Sequence, residues 1–173
     1  MKTIYAYWGG GKHYVKLTWL PQFPVKQTEV TSAHCVCVND GKVLLSYIKG
    51  RGFNLPGGHI DEDETVDAAV HREVLEEAYV EGEIYYLGCI EVSHEENSNF
   101  DPNGKYPKIG YQAFYRMDVT ACLPFLREYE ATTRVWVEPA ELPFVLDDHE
   151  LAIHIVNAAF EGSFEVNEKL EFS

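Results

Sequence analysis

Residues 57–80 read GGHIDEDETVDAAVHREVLEEAYV, and three glutamates within them, Glu73, Glu76 and Glu77, fall at the i, i+3, i+4 spacing that shares one face of an α-helix. Like charges so placed destabilise an isolated helix by roughly 0.2–0.5 kcal/mol per pair. A helix that keeps three on one ridge either solvates them or gives them a divalent ion, and hard oxygen ligands favour Mg²⁺ or Mn²⁺. On the opposite side Val66, Val70, Val74 and Ala78 recur every four residues as an apolar ridge suited to packing on a sheet. Upstream, Leu55-Pro56-Gly57-Gly58 cannot continue a strand or begin a regular helix, so it reads as a turn that delivers chain to the helix. Arg72 stands four residues before Glu76, where its guanidinium can brace a carboxylate in a fixed orientation.

Gly58, Glu64, then Arg72-Glu73-Val74-Leu75-Glu76-Glu77-Ala78 and the apolar Val80 resemble, in residue type and spacing, the signature box of the Nudix hydrolases. One position departs from that pattern, since Tyr79 stands where the family usually has glycine. Such a glycine lets a helix end in the left-handed conformation, which a bulky residue adopts at a cost of roughly 1–2 kcal/mol. Either Tyr79 accepts that strain or the helix runs on to Gly82, and the second outcome is the expected one.

The resemblance implies an α+β fold, a Nudix-like α/β/α sandwich with a mixed β-sheet over roughly residues 28–160. It also implies a Mg²⁺-dependent pyrophosphohydrolase, with Mn²⁺ as a substitute, that cleaves a nucleoside diphosphate linked to another group by attack of water on phosphorus. By the same resemblance Glu73, Glu76, Glu77 and the Gly57 carbonyl bind metal, Arg72 braces the acids, and Glu64 supports them from outside. The general base in this family often lies on a later loop. Glu130 is the preferred candidate, with Glu128 and Glu95 behind it, so Arg72, Glu76 and Glu130 make up the expected catalytic set. Arg51, Asn54, Lys108 and Tyr111 are candidate contacts for phosphate or base. The stretch VNDGKVLLSYIKGRGFNLPGGHI, residues 38–60, resembles members that cleave nucleoside triphosphates. A catalytically silent nucleotide-binding or regulatory module of the same fold is the alternative, disfavoured because such modules commonly lose box carboxylates.

At 173 residues the chain is long enough for one domain with a substantial core, and residues 1–173 read as a single Nudix-type domain with 1–27 as additional N-terminal strands. The net charge of −14 argues against a nucleic-acid polymer as partner, because such binding rests on basic patches that release counterions. A small anionic nucleotide is compatible if metal neutralises the cleft, and a homodimer is compatible with the pattern. No run approaches the roughly 18–20 apolar residues of a membrane span, and the N-terminus lacks a secretory h-region, so a cytoplasmic location is expected. Cys35, Cys37, Cys89 and Cys122 do not form a zinc pattern and read as buried reduced thiols.

Residues 3–8 and 13–19 alternate as a first hairpin about Gly9-Gly10-Gly11; with Lys12 and His13 following, the glycines lack the spacing of a phosphate loop. Residues 29–38 and 43–48 flank the turn Asn39-Asp40-Gly41 and are expected to form the central pairing. Strands are expected at 84–92 and 109–119, joined by the polar segment HEENSNFDPNGKYPK, residues 94–108, which reads as a mobile loop or hairpin tip near the ligand. A short strand at 133–138 and a last helix from Asp147 or Asp148 to about Phe160 follow, its buried stripe being Leu151, Ile155, Ala158 and Ala159. His149 and His154 do not share a face and read as ordinary helix residues.

Overall fold

The structure is a computed structural model, and it describes residues 1–161. Among the described residues nine strands form one mixed sheet: β1 (Lys2–Trp8), β2 (His13–Pro21), β3 (Val30–Asn39), β4 (Lys42–Ile48), β5 (Gly52–Asn54), β6 (Gly57–His59), β7 (Val80–Ser93), β8 (Ile109–Cys122) and β9 (Ala131–Val137). The order across the sheet is β1-β2-β7-β8-β3-β4-β5, with β6 added to β3 and β9 added to β4. The β3–β8 pair is parallel, and every other pair is antiparallel.

Side-chain alternation along the central strands builds a core on each face. Cys35, Cys37 and Leu44 turn to the side covered by helix α1 (Val66–Ala78), where Val66, Val70, Val74 and Ala78 are fully or almost fully buried as the apolar ridge predicts. Burying a valine side chain contributes roughly 1.5–3 kcal/mol, which outweighs the mutual repulsion of the acids on the opposite ridge. Val36, Val38, Val43 and Leu45 turn to the other side, against Leu151, Ile155 and Ala159 of α3 (Glu150–Glu161) and Leu142 of the short α2 (Leu142–Val145). The result is the expected α/β/α sandwich.

The expected hairpin of β3 and β4 forms at its turn and then opens. Asp40 and Gly41 both take positive φ, 50° and 71°, and Val38 pairs with Val43 and Asn39 with Lys42. Beyond those two pairs β4 leaves β3 to pair with β9 and β5, while Ser32, Ala33 and His34 pair with His59, Gly58 and Gly57 of β6. The Cys35 N–H donates to the Pro56 carbonyl at 2.9 Å. The gap between the diverging strands is thus filled by the glycine turn that leads to α1, and the reading of this hairpin as the central pairing is corrected to that extent.

The expectation that α1 continues to Gly82 is also overturned. The helix ends at Ala78, and Tyr79 sits in the left-handed region at φ 54°, ψ 43° as its cap. Tertiary contacts hold it there: the ring stands edge-on to Phe125 at 5.1 Å, the hydroxyl accepts the Glu128 N–H at 3.0 Å, and Arg134 donates to the carbonyls of Ala78 and Tyr79. At the start of α1, Thr65 Oγ1 accepts the Ala68 N–H at 3.1 Å as an N-cap.

Two smaller corrections concern the start of α3 and one of the thiols. α3 begins at Glu150, so His149 belongs to the preceding loop rather than to the helix. Cys35, Cys37 and Cys89 are buried free thiols, whereas Cys122 is free and exposed at the end of β8. No helix among the described residues is long and apolar enough to cross a membrane.

Candidate active site

Arg72 is the hub of the acidic helix. Its Nε and Nη2 donate to the two carboxylate oxygens of Glu64 at 2.7 and 2.9 Å, and Nη1 donates to Glu73 Oε1 at 2.9 Å. Nη2 also donates to the His59 carbonyl at 3.0 Å, which ties the helix to β6. Glu76 Oε2 lies 3.6 Å from Nη1, so the i, i+4 brace expected from spacing is looser than the grip on Glu64 and Glu73. The guanidinium holds the Glu64 carboxyl below its usual range, whereas burial outweighs Arg72 at Glu73 and raises that carboxyl.

Glu77 occupies a different environment. Its side chain is buried, Oε2 accepts the Gly57 N–H at 3.2 Å, and its backbone carbonyl accepts from Ser46 Oγ at 2.8 Å. Burial pushes its carboxyl up to about 7, against the lowering effect of the Gly57 N–H, and the charge of Glu73 adds to the rise. Both glycines of the turn are tightly enclosed, Gly58 by the end of a flexible acid side chain and Gly57 by neighbouring backbone. A Cβ on Gly58 would meet Glu73 Oε1 at 2.5 Å, and one on Gly57 would run into His34 and the Ala33 carbonyl.

The sheet fork opens into a cleft of about 340 Å³ lined by Arg51, Asn54, Gly57, Glu77, Gln112 and His149, among others. Arg51 Nη2 donates to Glu130 Oε2 at 2.7 Å, which brings the loop before β9 to the same rim. Asp147 closes another side: its N–H donates to the Phe53 carbonyl, and its Oδ2 accepts the Phe53 N–H, both at 2.8 Å. His149 Nδ1 is buried and has no hydrogen-bond partner among the described residues, and Nε2 lies 3.6 Å from Asp148 Oδ1.

Of the residues singled out from sequence, Arg51, Asn54, Gly57 and Glu77 therefore meet at one cleft, with Glu130 tethered beside it, while Arg72, Glu73 and Glu76 lie on the helix flank below. Lys108 and Tyr111 are not brought in. Tyr111 alternates with the cleft-facing Gln112 and so points to the α1 side of the sheet, where it stacks on Phe23 at 5.9 Å and donates to Glu91. The Lys108 carbonyl instead accepts the His94 N–H at 2.8 Å. Glu95 is exposed on its loop, and the Glu128 N–H serves the Tyr79 hydroxyl. Asp147, Asp148 and His149 were missed because their pattern carries no signal beyond a helix start; only the packing of α3 over the sheet brings them to the cleft.

Among the described residues no three His, Cys, Asp or Glu side chains converge as a ready-made metal cage. Glu73 is turned toward Arg72 and Glu77 toward Gly57. The donor chemistry still fits a hard divalent cation: three carboxylates and a glycine carbonyl, one of the acids buried and costly to ionise without a positive charge.

Comparison with known proteins gives a consistent picture. The family described as NUDIX domain matches residues 28–158. Nudix hydrolase 16, mitochondrial, of Arabidopsis thaliana is 35% identical over 97 residues, 55% of this chain and 52% of that protein. The chain thus spans about half the length of the curated relative it matches. Among solved structures, the Bacillus subtilis pyrophosphohydrolase BsRppH superposes with a TM-score of 0.68 at 18% identity, covering 91% of this chain and 96% of that one. The NUDIX domain of Shewanella oneidensis NrtR, complexed with ADP ribose, superposes with a TM-score of 0.55 at 20% identity, covering 80% and 89%. At these identities the structural likeness is one of fold.

Proposed function

This chain belongs to the Nudix hydrolase family, and on that premise we propose that it is a Mg²⁺-dependent pyrophosphohydrolase acting on a small nucleotide-type substrate, a nucleoside diphosphate linked to a further group. The observation that carries the reading is the division of labour along α1. Arg72 anchors Glu64 and Glu73 on one flank, while the buried Glu77 faces the cleft beside Gly57.

Glu73, Glu76, Glu77 and the Gly57 carbonyl would hold the metal. When bound, a divalent cation neutralises phosphate oxygens and lowers the pKa of a coordinated water. The protein's own groups do the rest. Arg72 keeps Glu73 from swinging into solvent and ties the helix to β6 through the His59 carbonyl. Arg51 offers a guanidinium at the cleft rim, suited to a phosphate oxygen, and holds Glu130 by Oε2, which leaves Oε1 to accept a proton from an attacking water. Asn54 donates through Nδ2 to the Arg51 carbonyl at 2.9 Å and so supports Arg51 rather than reaching across the cleft.

A panel of nucleoside diphosphate and triphosphate derivatives, assayed for phosphate and pyrophosphate release with and without Mg²⁺, tests the reading. Turnover of at least one should depend on the metal, and Glu76→Gln should lower kcat by about 10²–10³-fold, the scale of losing a main electrostatic stabiliser. Undiminished turnover in excess chelator would overturn the metal assignment. Binding without turnover across the panel would favour a silent binding module, the reading weakened here by the presence of every box carboxylate.

A further inference from the structure

The triple glycine at the tip of the N-terminal hairpin is not a phosphate loop, and its use is visible in the fold. Gly9, Gly10 and Gly11 all take positive φ, 61°, 70° and 90°, and turn the chain so that Trp8 pairs with His13. Trp8, Gly9 and His13 form one wall of a second cavity of about 500 Å³. Further lining comes from the 94–108 segment, including Phe100, Lys105 and Tyr106, and from Thr31, Ser32 and Gln112 of the sheet. Trp8 and Gln112 also line the first cleft, so the two cavities adjoin.

The walls are joined by specific bonds. Asn97 Oδ1 accepts the Asn99 N–H, which directs the Asn97 amide nitrogen toward His13 Nδ1 and His94 Nδ1 at 3.1 and 3.0 Å. Asn99 Nδ2 donates to the Lys12 carbonyl at 2.7 Å. Tyr106 Oη lies 3.3 Å from His59 Nε2, beside the glycine turn. The 94–108 segment, expected to be a mobile loop or hairpin tip, joins the antiparallel strands β7 and β8 and is seated as an arch on the tip of the N-terminal hairpin.

The geometry points to this cavity as the site for the base and ribose of a nucleotide, with the N-terminal hairpin, which lies outside the matched family span, acting as a specificity element. The inference rests on the proposed substrate class and deepens it. Three features carry it. The volume suits a nucleoside and exceeds what a phosphate needs. The lining includes the aromatic side chains of Trp8, Phe100 and Tyr106, a residue type on which a planar base can stack. Gln112 supplies both a donor and an acceptor at the junction with the cleft, where the edge of a base or a ribose hydroxyl would lie.

The test is equilibrium binding to the full chain without metal, read by calorimetry and by tryptophan fluorescence, with four nucleoside 5′-monophosphates and with ribose 5-phosphate, which lacks the base. At least one nucleotide should bind about tenfold or more tightly than ribose 5-phosphate, the scale of losing one aromatic stacking contact. Trp8→Ala should erase that preference. Tyr106→Ala should reduce it, and because this side chain is exposed on the arch its removal leaves the fold intact. Equal binding of all five probes, or an unchanged preference in both variants, would overturn the proposal. These outcomes are separable from the hydrolase reading: base-dependent binding without turnover removes the hydrolase and keeps the pocket, and turnover with base-independent binding does the reverse.

Discussion

Arg51 and Glu130, 79 residues apart, are joined by a 2.7 Å charge-assisted hydrogen bond at the rim of the cleft. Both side chains are more than half exposed, so the pair contributes little to stability, about 0–1 kcal/mol. Its consequence is positional. A residue expected to meet phosphate and one expected to accept a proton hold each other on the same side of Glu77.

Glu130→Gln should therefore leave the melting temperature almost unchanged while lowering kcat by roughly 10²-fold or more, the range for loss of a general base. KM should stay nearly constant, since the amide oxygen can still accept from Arg51. Steady-state kinetics of this variant beside Glu95→Gln check the assignment. A fast Glu130 variant and a slow Glu95 variant would move the base to the 94–108 arch.

Gly58→Ala tests whether the placement of Glu73 matters. The new methyl would press on Glu73 Oε1, the end of a flexible side chain, so the fold should accommodate it by turning the carboxylate away from Arg72. The expected outcome is a large loss of kcat with a small change in melting temperature. Wild-type activity in a folded Gly58→Ala protein would show that Glu73 need not stand where it does.

Tyr79 offers a stability comparison that separates the two accounts of the helix end. Replacing the buried ring with either alanine or glycine should destabilise by a few kcal/mol, on the scale of about 3–5 kcal/mol for removing a buried aromatic side chain. In the left-handed cap, however, the glycine variant should be more stable than the alanine variant by roughly 1–2 kcal/mol. In a continuing helix alanine would be the better residue by about 1 kcal/mol. Chemical denaturation of the two variants gives the sign.

The joint between hairpin and arch should weaken in mild acid. His94 is held below its usual value of 6.5, first by burial and then by the nearby His13, so the folded state binds fewer protons there than the unfolded chain. Its contribution to stability is complete above pH 6.5 and is lost as the pH falls through the lowered folded value. Protonation also places a hydrogen on Nδ1, facing the Asn97 amide donor. The stability difference between wild type and His94→Asn should shrink between pH 7.5 and pH 5. A difference that is constant or grows with acid would contradict this account.

Local pattern alone determined the acidic helix, its buried valine ridge, the glycine turn before it and most strands, because helical and strand periodicities write themselves into spacing. It also determined the Nudix family, since Gly58, Glu64 and Arg72 to Glu77 lie within one continuous stretch. What only the tertiary structure decided lies between segments distant in the chain. The opening of β3 from β4 depends on competition from β6 and β9, which no local turn signal reports. The cap at Tyr79 went against conformational preference because Phe125, Glu128 and Arg134, 46 to 55 residues downstream, stabilise a strained backbone. Likewise, Trp8 and His13 meet the 94–108 arch only when β2 pairs with β7, and His149 reaches the cleft only when α3 docks on the sheet. Periodicity reports which face of an element is apolar; it carries no information about which distant side chain will complete a cavity there.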